Sequence, residues 1–306
     1  GSDEPVGTIR ILTDDITQFS TAGKYLVAPN GVKIQLVENN SPLIMPKTNH
    51  DFVVRRLSDQ APWVIGRAGM HYRDLIPSRL GGSIIASHIR IPDGGPVPDM
   101  VHYHTVGFQL IFCYKGWVDL VYEDQGKPFR LNEGCCVIQP PQIRHRVLFA
   151  SNDIEVIEIG VPAEHVTTID HEMSLPNDTI NRQREFQGQK FVHHKVEDAV
   201  WEPFRLSQFK SRDTTIAENT KNVAGVKVAK FTGGGDVWSS HDTDILFNFV
   251  MSGHMTLEGE GEKSNDLEPG DAFVIPPNMK TKYTSCSKDL ELLEVSLPGI
   301  FNTTNV

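Results

Sequence analysis

The chain contains its own copy. Phe52 to Trp63 recurs as Phe191 to Trp201, and Arg73-Asp74 as Arg212-Asp213. Gly94-Gly95 returns as Gly233-Gly234, and Phe112-Cys-Tyr-Lys-Gly116 as Phe249-Val-Met-Ser-Gly253. Gly134 to Pro141 returns as Gly270 to Pro277, and Glu155-Val-Ile-Glu158 with Pro162 as Glu291-Leu-Leu-Glu294 with Pro298. The offset runs only from 139 residues (Phe52 to Phe191) to 136 (Pro162 to Pro298). Matches in one order at one spacing make a tandem duplication, so any fold assigned to one half must also serve the other.

Each half reads as β-structure. Ile84 to Ile91 is an apolar, β-branched run stopped by Pro92-Asp-Gly-Gly95, a strand followed by a turn. Phe108 to Tyr122 is strand-like on both sides of Gly116, as in a hairpin. Cys135 to Gln139, Arg146 to Ala150 and Glu155 to Val161 are further short strands, separated by turn signals such as Asn132-Glu-Gly134 and Pro140-Pro141. Short strands punctuated by Gly and Pro suggest a sandwich or barrel. Residues 1–50 lack strong periodicity and are read as an N-terminal arm, which pairs with the other barrel's sheet or with a partner subunit. The polar stretch 166–190 is read as a connector with a short helix. The barrels are then residues 51–165 and 191–306.

Charge and cysteine usage narrow the partners. The net charge of −10, with no compensating run of Lys and Arg, argues against nucleic acid. No apolar run approaches the ~20 residues that span a bilayer. Cys113, Cys135, Cys136 and Cys286 form no CxxC pair and no framework, which points to reduced thiols in a reducing, cytoplasmic compartment. A homo-oligomer is compatible with an arm that pairs with a partner subunit.

The chemistry concentrates between Val101 and Val147. Residues two apart on a strand face the same way, so His102 and His104 point to one side together. Gln109 shares a face with Ile111 and Cys113 on the next strand, and His145 shares one with Val147. A closed barrel would bring three imidazoles and one amide oxygen to a single cation. Such neutral donors suit iron, copper, nickel, zinc or manganese and leave the ion close to its full charge. Gln109 is read either as the fourth ligand or as a group that holds substrate or dioxygen. Arg90, if its face of the Ile84 to Ile91 strand is the lumen, would clamp a carboxylate or enolate.

These residues resemble the two motifs of the cupin superfamily. The first runs G-x5-H-x-H-x(3,4)-E-x6-G. Here Gly95 opens it, His102 and His104 lie one residue beyond the usual gap, Gln109 stands at the glutamate position, and Gly116 closes it. The second runs G-x5-P-x-G-x2-H-x3-N, matched by Gly134, Pro140 and His145, with Gln142 and Phe149 as departures. The resemblance implies an all-β fold of two tandem jelly-roll barrels, a bicupin, with His102, His104 and His145 as metal ligands. In the second repeat the corresponding positions are Ser239, His241, Leu246 and Thr281, so one metal per chain is expected and the second barrel is expected to bind none.

The resemblance extends to gentisate-, quercetin- and diketone-cleaving dioxygenases. It implies a non-haem Fe(II) enzyme that cleaves a C–C bond of an aromatic or enolic small molecule with dioxygen. Phe108, Ile111, Val147 and Phe149 are candidates to line its site. The other readings are a non-oxidative metal-dependent isomerase, lyase or hydrolase, and a non-enzymatic ligand-binding bicupin. Glu158 and Glu294, at equivalent positions, are read as architectural, and His165, His171, His193 and His194 as ordinary solvated residues.

Overall fold

The computed structural model describes residues 8–13, 25–38, 43–60 and 62–305. The chain divides into two compact units, Gly1–Ile44 and Met45–Val306. In the first, the strand Lys33–Glu38 lies between Thr8–Thr13, which is parallel to it, and Tyr25–Val27, which is antiparallel. Within the expected arm these three strands pair with one another, whereas Thr48 and His50 both bond to Asp244 of the second repeat, at 2.6 Å each. The strand that joins the second repeat's sheet begins after the arm, at Val53.

The second unit is two jelly rolls, each of two sheets. In the first repeat a seven-stranded sheet has Ile154–Val161 at its centre, between Phe108–Lys115 and Ile85–Ile91, with Cys136–Ile138 on the far side of Phe108–Lys115. A six-stranded sheet carries Trp117–Tyr122, His145–Ala150 and His102–Thr105 in adjacent positions. The second repeat has the same plan around Ile245–Ser252 in one sheet and Thr281–Thr284 beside Ser239–His241 in the other.

Both seven-stranded sheets bury both faces. Phe108, Leu110 and Phe112 point into one core cluster with Val228, Phe247, Phe249 and Leu293 of the other repeat. The alternate residues Ile111 and Cys113 belong to the interior of the first barrel, and Leu246 and Val250 to that of the second. A strand covered on both sides reads as a continuous apolar run, which is why FQLIFCYK and ILFNFVMS show so little alternation.

The barrels also exchange strands. Val192–His194, which opens the second repeat, pairs with Cys136–Ile138 of the first. Val53–Arg55, its counterpart, pairs with Ala272–Ile275 of the second. Each repeat thus completes the other's sheet. Two further recurrences flank this exchange. Arg73 Nη2 donates to Gly270 O, and Arg212 Nη2 donates to Gly134 O at 2.6 Å. Both glycines have positive φ (+76° at Gly134, +97° at Gly270), and a Cβ there would collide with Val196 and Leu57 respectively, so only glycine fits without strain.

The stretch read as a connector is corrected in two ways. Val166–Ile169 is a strand of the first barrel, paired with His102–Thr105. The remainder holds a two-stranded hairpin, Glu185–Phe186 with Gln189–Lys190, in place of the expected helix. The one α-helical turn among the described residues is Ile216–Asn219.

Candidate metal centre

Alternation on His102–Thr105 buries His102 and His104 and turns Tyr103 and Thr105 the other way. His145 opens the neighbouring strand and stands directly opposite His102 in the antiparallel register. The three rings close on one point, with centroids 4.2 Å apart for His102 and His145, 5.1 Å for His102 and His104, and 5.2 Å for His104 and His145. One nitrogen from each lies within 4.8 Å of the others.

The other nitrogen of each ring is already engaged. His102 Nδ1 donates to Met100 O at 2.7 Å and His145 Nδ1 to Ile143 O at 2.9 Å, while His104 Nδ1 meets Thr167 Oγ1 at 2.9 Å. The two carbonyl contacts fix Nδ1–H tautomers for His102 and His145, and all three contacts leave Nε2 as the nitrogen not engaged by them. His102 Nε2 is buried without any hydrogen-bond partner. Burial, then the charges of His102, His165 and Arg67, push the His104 imidazole down to about 2. Burial followed by its two histidine neighbours holds His145 well below the ordinary range, and burial followed by Arg67 lowers His102. Neutral imidazoles with free Nε2 atoms are the form that ligates a metal, so the donor set fits a divalent ion.

Gln109 sits on the facing sheet. Its Nε2 donates to Glu158 Oε1 at 2.6 Å, and its Oε1 is buried with no partner. Glu158 is enclosed, and burial raises its carboxyl above the usual range against the opposing bond from Gln109.

A cavity of about 370 Å³ opens beside His104 and His145. Most of its wall is apolar, including Ile85, Ile89, Ile111 and Val147; Arg67, Glu158, His165 and Thr167 supply polar groups. Of the candidate lining residues, Ile111 and Val147 take part. Phe108 instead points into the core between the barrels, and Phe149 is 40% exposed and stacks on Trp117.

Arg90 is on the wrong face for the role expected of it. Ile85, Ser87, Ile89 and Ile91 line the cavity, so His88 and Arg90 point outward from it. There Arg90 lies over Trp63 and pairs with Glu155 at 3.2 Å, next to the His88–Glu155 contact at 2.6 Å. The cavity's arginine is Arg67. It is held by the buried Asp99 at 2.6 Å, with its guanidinium 3.3 Å from His102 Nδ1. The available signal was the recurrence of Arg67 as Arg205, 138 residues on.

Two other readings change. His165 packs edge-on against His104, with centroids 5.5 Å apart, and lines the cavity. Glu158 lines it too, whereas its counterpart Glu294 is locked bidentately on Arg205 at 2.6 to 3.1 Å. Burial pushes the Cys113 thiol up to about 12, which removes it as a nucleophile. In the second barrel Ser239 and Thr281 face each other as His102 and His145 do, without imidazoles, and His241 Nε2 is spent on Ile275 O at 3.1 Å. Among the described residues, the His102, His104 and His145 set is the one metal-competent cluster of its kind.

Residues 229–296 match the family described as Cupin domain. The match falls on the repeat without the histidines, where the frame of Gly253, Gly270, Pro276 and Pro277 is intact. No curated protein matches the chain in sequence. Among solved structures it is similar to salicylate 1,2-dioxygenase of Pseudaminobacter salicylatoxidans, with 15% identity over 86% of this chain and 91% of that one, at a TM-score of 0.63. A variant of that enzyme in complex with gentisate matches at 16% identity over 87% and 88% of the two chains, with a TM-score of 0.60. A variant of the oxalate decarboxylase of Bacillus subtilis matches at 12% identity over 85% and 82%, with a TM-score of 0.61. No described helix is long and apolar enough to cross a membrane. A cupin domain matched in the second repeat, and a two-barrel architecture shared with these solved structures across most of its length, give this chain the fold of a bicupin.

Proposed function

We propose that this protein is a metal-dependent cupin enzyme, a non-haem Fe(II) dioxygenase that opens a C–C bond in an aromatic or enolic substrate bearing a carboxylate. The observation that carries this reading is the set of three Nε2 atoms turned to one point while each Nδ1 is bonded elsewhere. His102, His104 and His145 would hold the ion, with Gln109 Oε1 as a fourth donor or as a hydrogen-bond acceptor beside it. Bound iron would supply open positions for an oxygenated substrate and for dioxygen.

The chain's own residues do the rest. The apolar wall excludes water and favours a planar, weakly hydrated body. Arg67, anchored by Asp99, offers its remaining donors to the substrate carboxylate. The structural neighbours named for salicylate, gentisate and oxalate all concern carboxylates, which supports that class. Glu158 fixes the Gln109 amide so that Oε1, not Nε2, is the free end. Gln109 does not titrate and is no general base.

Glu158 also favours a second reading, a non-oxidative lyase or isomerase, because it puts a buried carboxyl in the cavity wall. Oxygen uptake separates the two. Metal identification followed by a screen of hydroxybenzoates, catechols, hydroquinones and β-diketones should give substrate-dependent dioxygen consumption. Turnover without oxygen consumption would overturn the dioxygenase reading and leave the metal site standing.

A further inference from the structure

A second cavity, of about 540 Å³, lies at the edge of the first barrel. It is lined from both edge strands, Phe129–Asn132 of the six-stranded sheet and the exchanged Val192–His194 of the seven-stranded one. Lys127, Arg130, Arg182 and Lys195 face it, against a single carboxylate, Glu197. Arg130 is spent on Asp119, at 2.8 and 3.0 Å. Lys127, Arg182 and Lys195 pair with no carboxylate among the described residues. Three cations without an ion-pair partner gather in one concavity around a single carboxylate, in a chain of net charge −10, and their summed field attracts an anion.

The other lining residues are suited to a ligand. Phe129 and Phe191 give an aromatic floor, and His193 stacks on Phe129 at 4.3 Å. His193 Nε2 is buried without a partner, and such an atom ordinarily finds one.

The second barrel again provides the comparison. Lys195 corresponds to Arg56, 139 residues earlier. There the matching edge strands are Val53–Arg55 and Asn265–Leu267. Arg56 bridges them, donating to Asn265 Oδ1 at 2.6 Å and to Asp266 O at 3.4 Å. Lys195 makes no such bridge, and the first barrel's edge stays open.

We propose that this cavity binds a small phosphorylated molecule, its phosphoryl group held by Lys127, Arg182 and Lys195 and its body laid on Phe129 and Phe191. A monocarboxylate would offer three cations one charge; a phosphoryl group offers nearly two, with three strong acceptor oxygens. The site is composite. Its residues come from the first repeat, the connector and the exchanged segment, so it exists only in the two-barrel chain.

Calorimetric titration of the full chain with phenyl phosphate and with inorganic phosphate tests this. Saturable binding of phenyl phosphate is expected, weakened about tenfold or more by Arg182→Ser with Lys195→Ser. Arg67→Ala, which alters only the metal-side cavity, should leave it unchanged. Inorganic phosphate should compete for the same site. Lys127→Glu, an exposed change within the same site, should also weaken binding and serves where the double variant proves unstable. Absence of saturable binding, or affinity unchanged from the parent in the Arg182→Ser/Lys195→Ser and Lys127→Glu variants, would overturn the proposal, as would loss in Arg67→Ala.

Discussion

Arg67 and Arg205 hold the same position in the two repeats and make opposite use of it. Arg205 closes on Glu294 and is buried with it. Arg67 turns to Asp99, leaving Glu158, the counterpart of Glu294, to Gln109. In the second barrel the cation and the carboxylate cancel each other. In the first they are kept apart and both line the cavity.

Glu294→Gln should therefore be strongly destabilising. It leaves the Arg205 guanidinium buried and unpaired, a loss of about 3–5 kcal/mol for such pairs. Denaturant unfolding measures it. Arg67→Ala should destabilise less, because Asp99, though only 3% exposed, keeps its bond from Val147 N, but it should raise KM for a carboxylate substrate about tenfold or more. Equal destabilisation by the two changes would mean that Arg67 and Arg205 are used alike.

Metal content should follow the histidines asymmetrically. Protein purified without added metal should carry at most about one ion per chain by elemental analysis. His104→Ala should abolish it and His241→Ala should leave it, because His241 Nε2 is already bonded to Ile275 O. Two ions per chain would refute the single-site assignment.

Gln109→Glu should retain metal and weaken binding of anionic substrates. It also sets a second carboxyl against Glu158, now 2.6 Å from the amide nitrogen. Two carboxyls at that distance share one proton, so the variant should unfold at lower denaturant than the parent. Unchanged affinity for an anionic substrate would place Gln109 outside the reaction zone.

Acid stability should depend on Glu155. Burial works to raise its carboxyl, but His88, Arg90 and Lys115 outweigh it and hold Glu155 at about 2, against an ordinary 4.5. A carboxylate lowered in this way stabilises the fold above its unfolded value and loses that contribution as pH falls toward the folded one. Stability should drop between about pH 4.5 and 2 by an amount on the order of 2–3 kcal/mol. Glu155→Gln should be less stable at pH 7 and show a flatter profile across that window in urea unfolding.

Neither repeat should fold alone. A fragment ending before residue 191 lacks the strand Val192–His194 and exposes Phe108, Leu110 and Phe112. Each such side chain contributes roughly 1.5–3 kcal/mol when buried. Circular dichroism and sedimentation of the fragment should show an unfolded or aggregated chain.

The sequence by itself determined the duplication, the β-class and the histidine triad. Period-two geometry is local: His102 and His104 must share a face wherever the strand lies, and the absent imidazoles at Ser239 and Thr281 are visible without coordinates. Only the tertiary structure decided which face was the lumen. The strand containing Arg90 has Ile85, Ile89 and Ile91 on one face and Ala86, His88 and Arg90 on the other, and a polar face suits a metal-bearing lumen as well as it suits the outer side where Arg90 meets Glu155. Glu158 and Glu294 look identical in the repeat; what separates them is a neighbour from elsewhere in the chain, Gln109 on the adjacent strand in one case and Arg205 in a loop in the other. The strand exchange was likewise hidden. Val53–Arg55 and Val192–His194 carry the pattern of their own repeat, and pairing into the other repeat's sheet is settled by which sheet edge the folded chain presents.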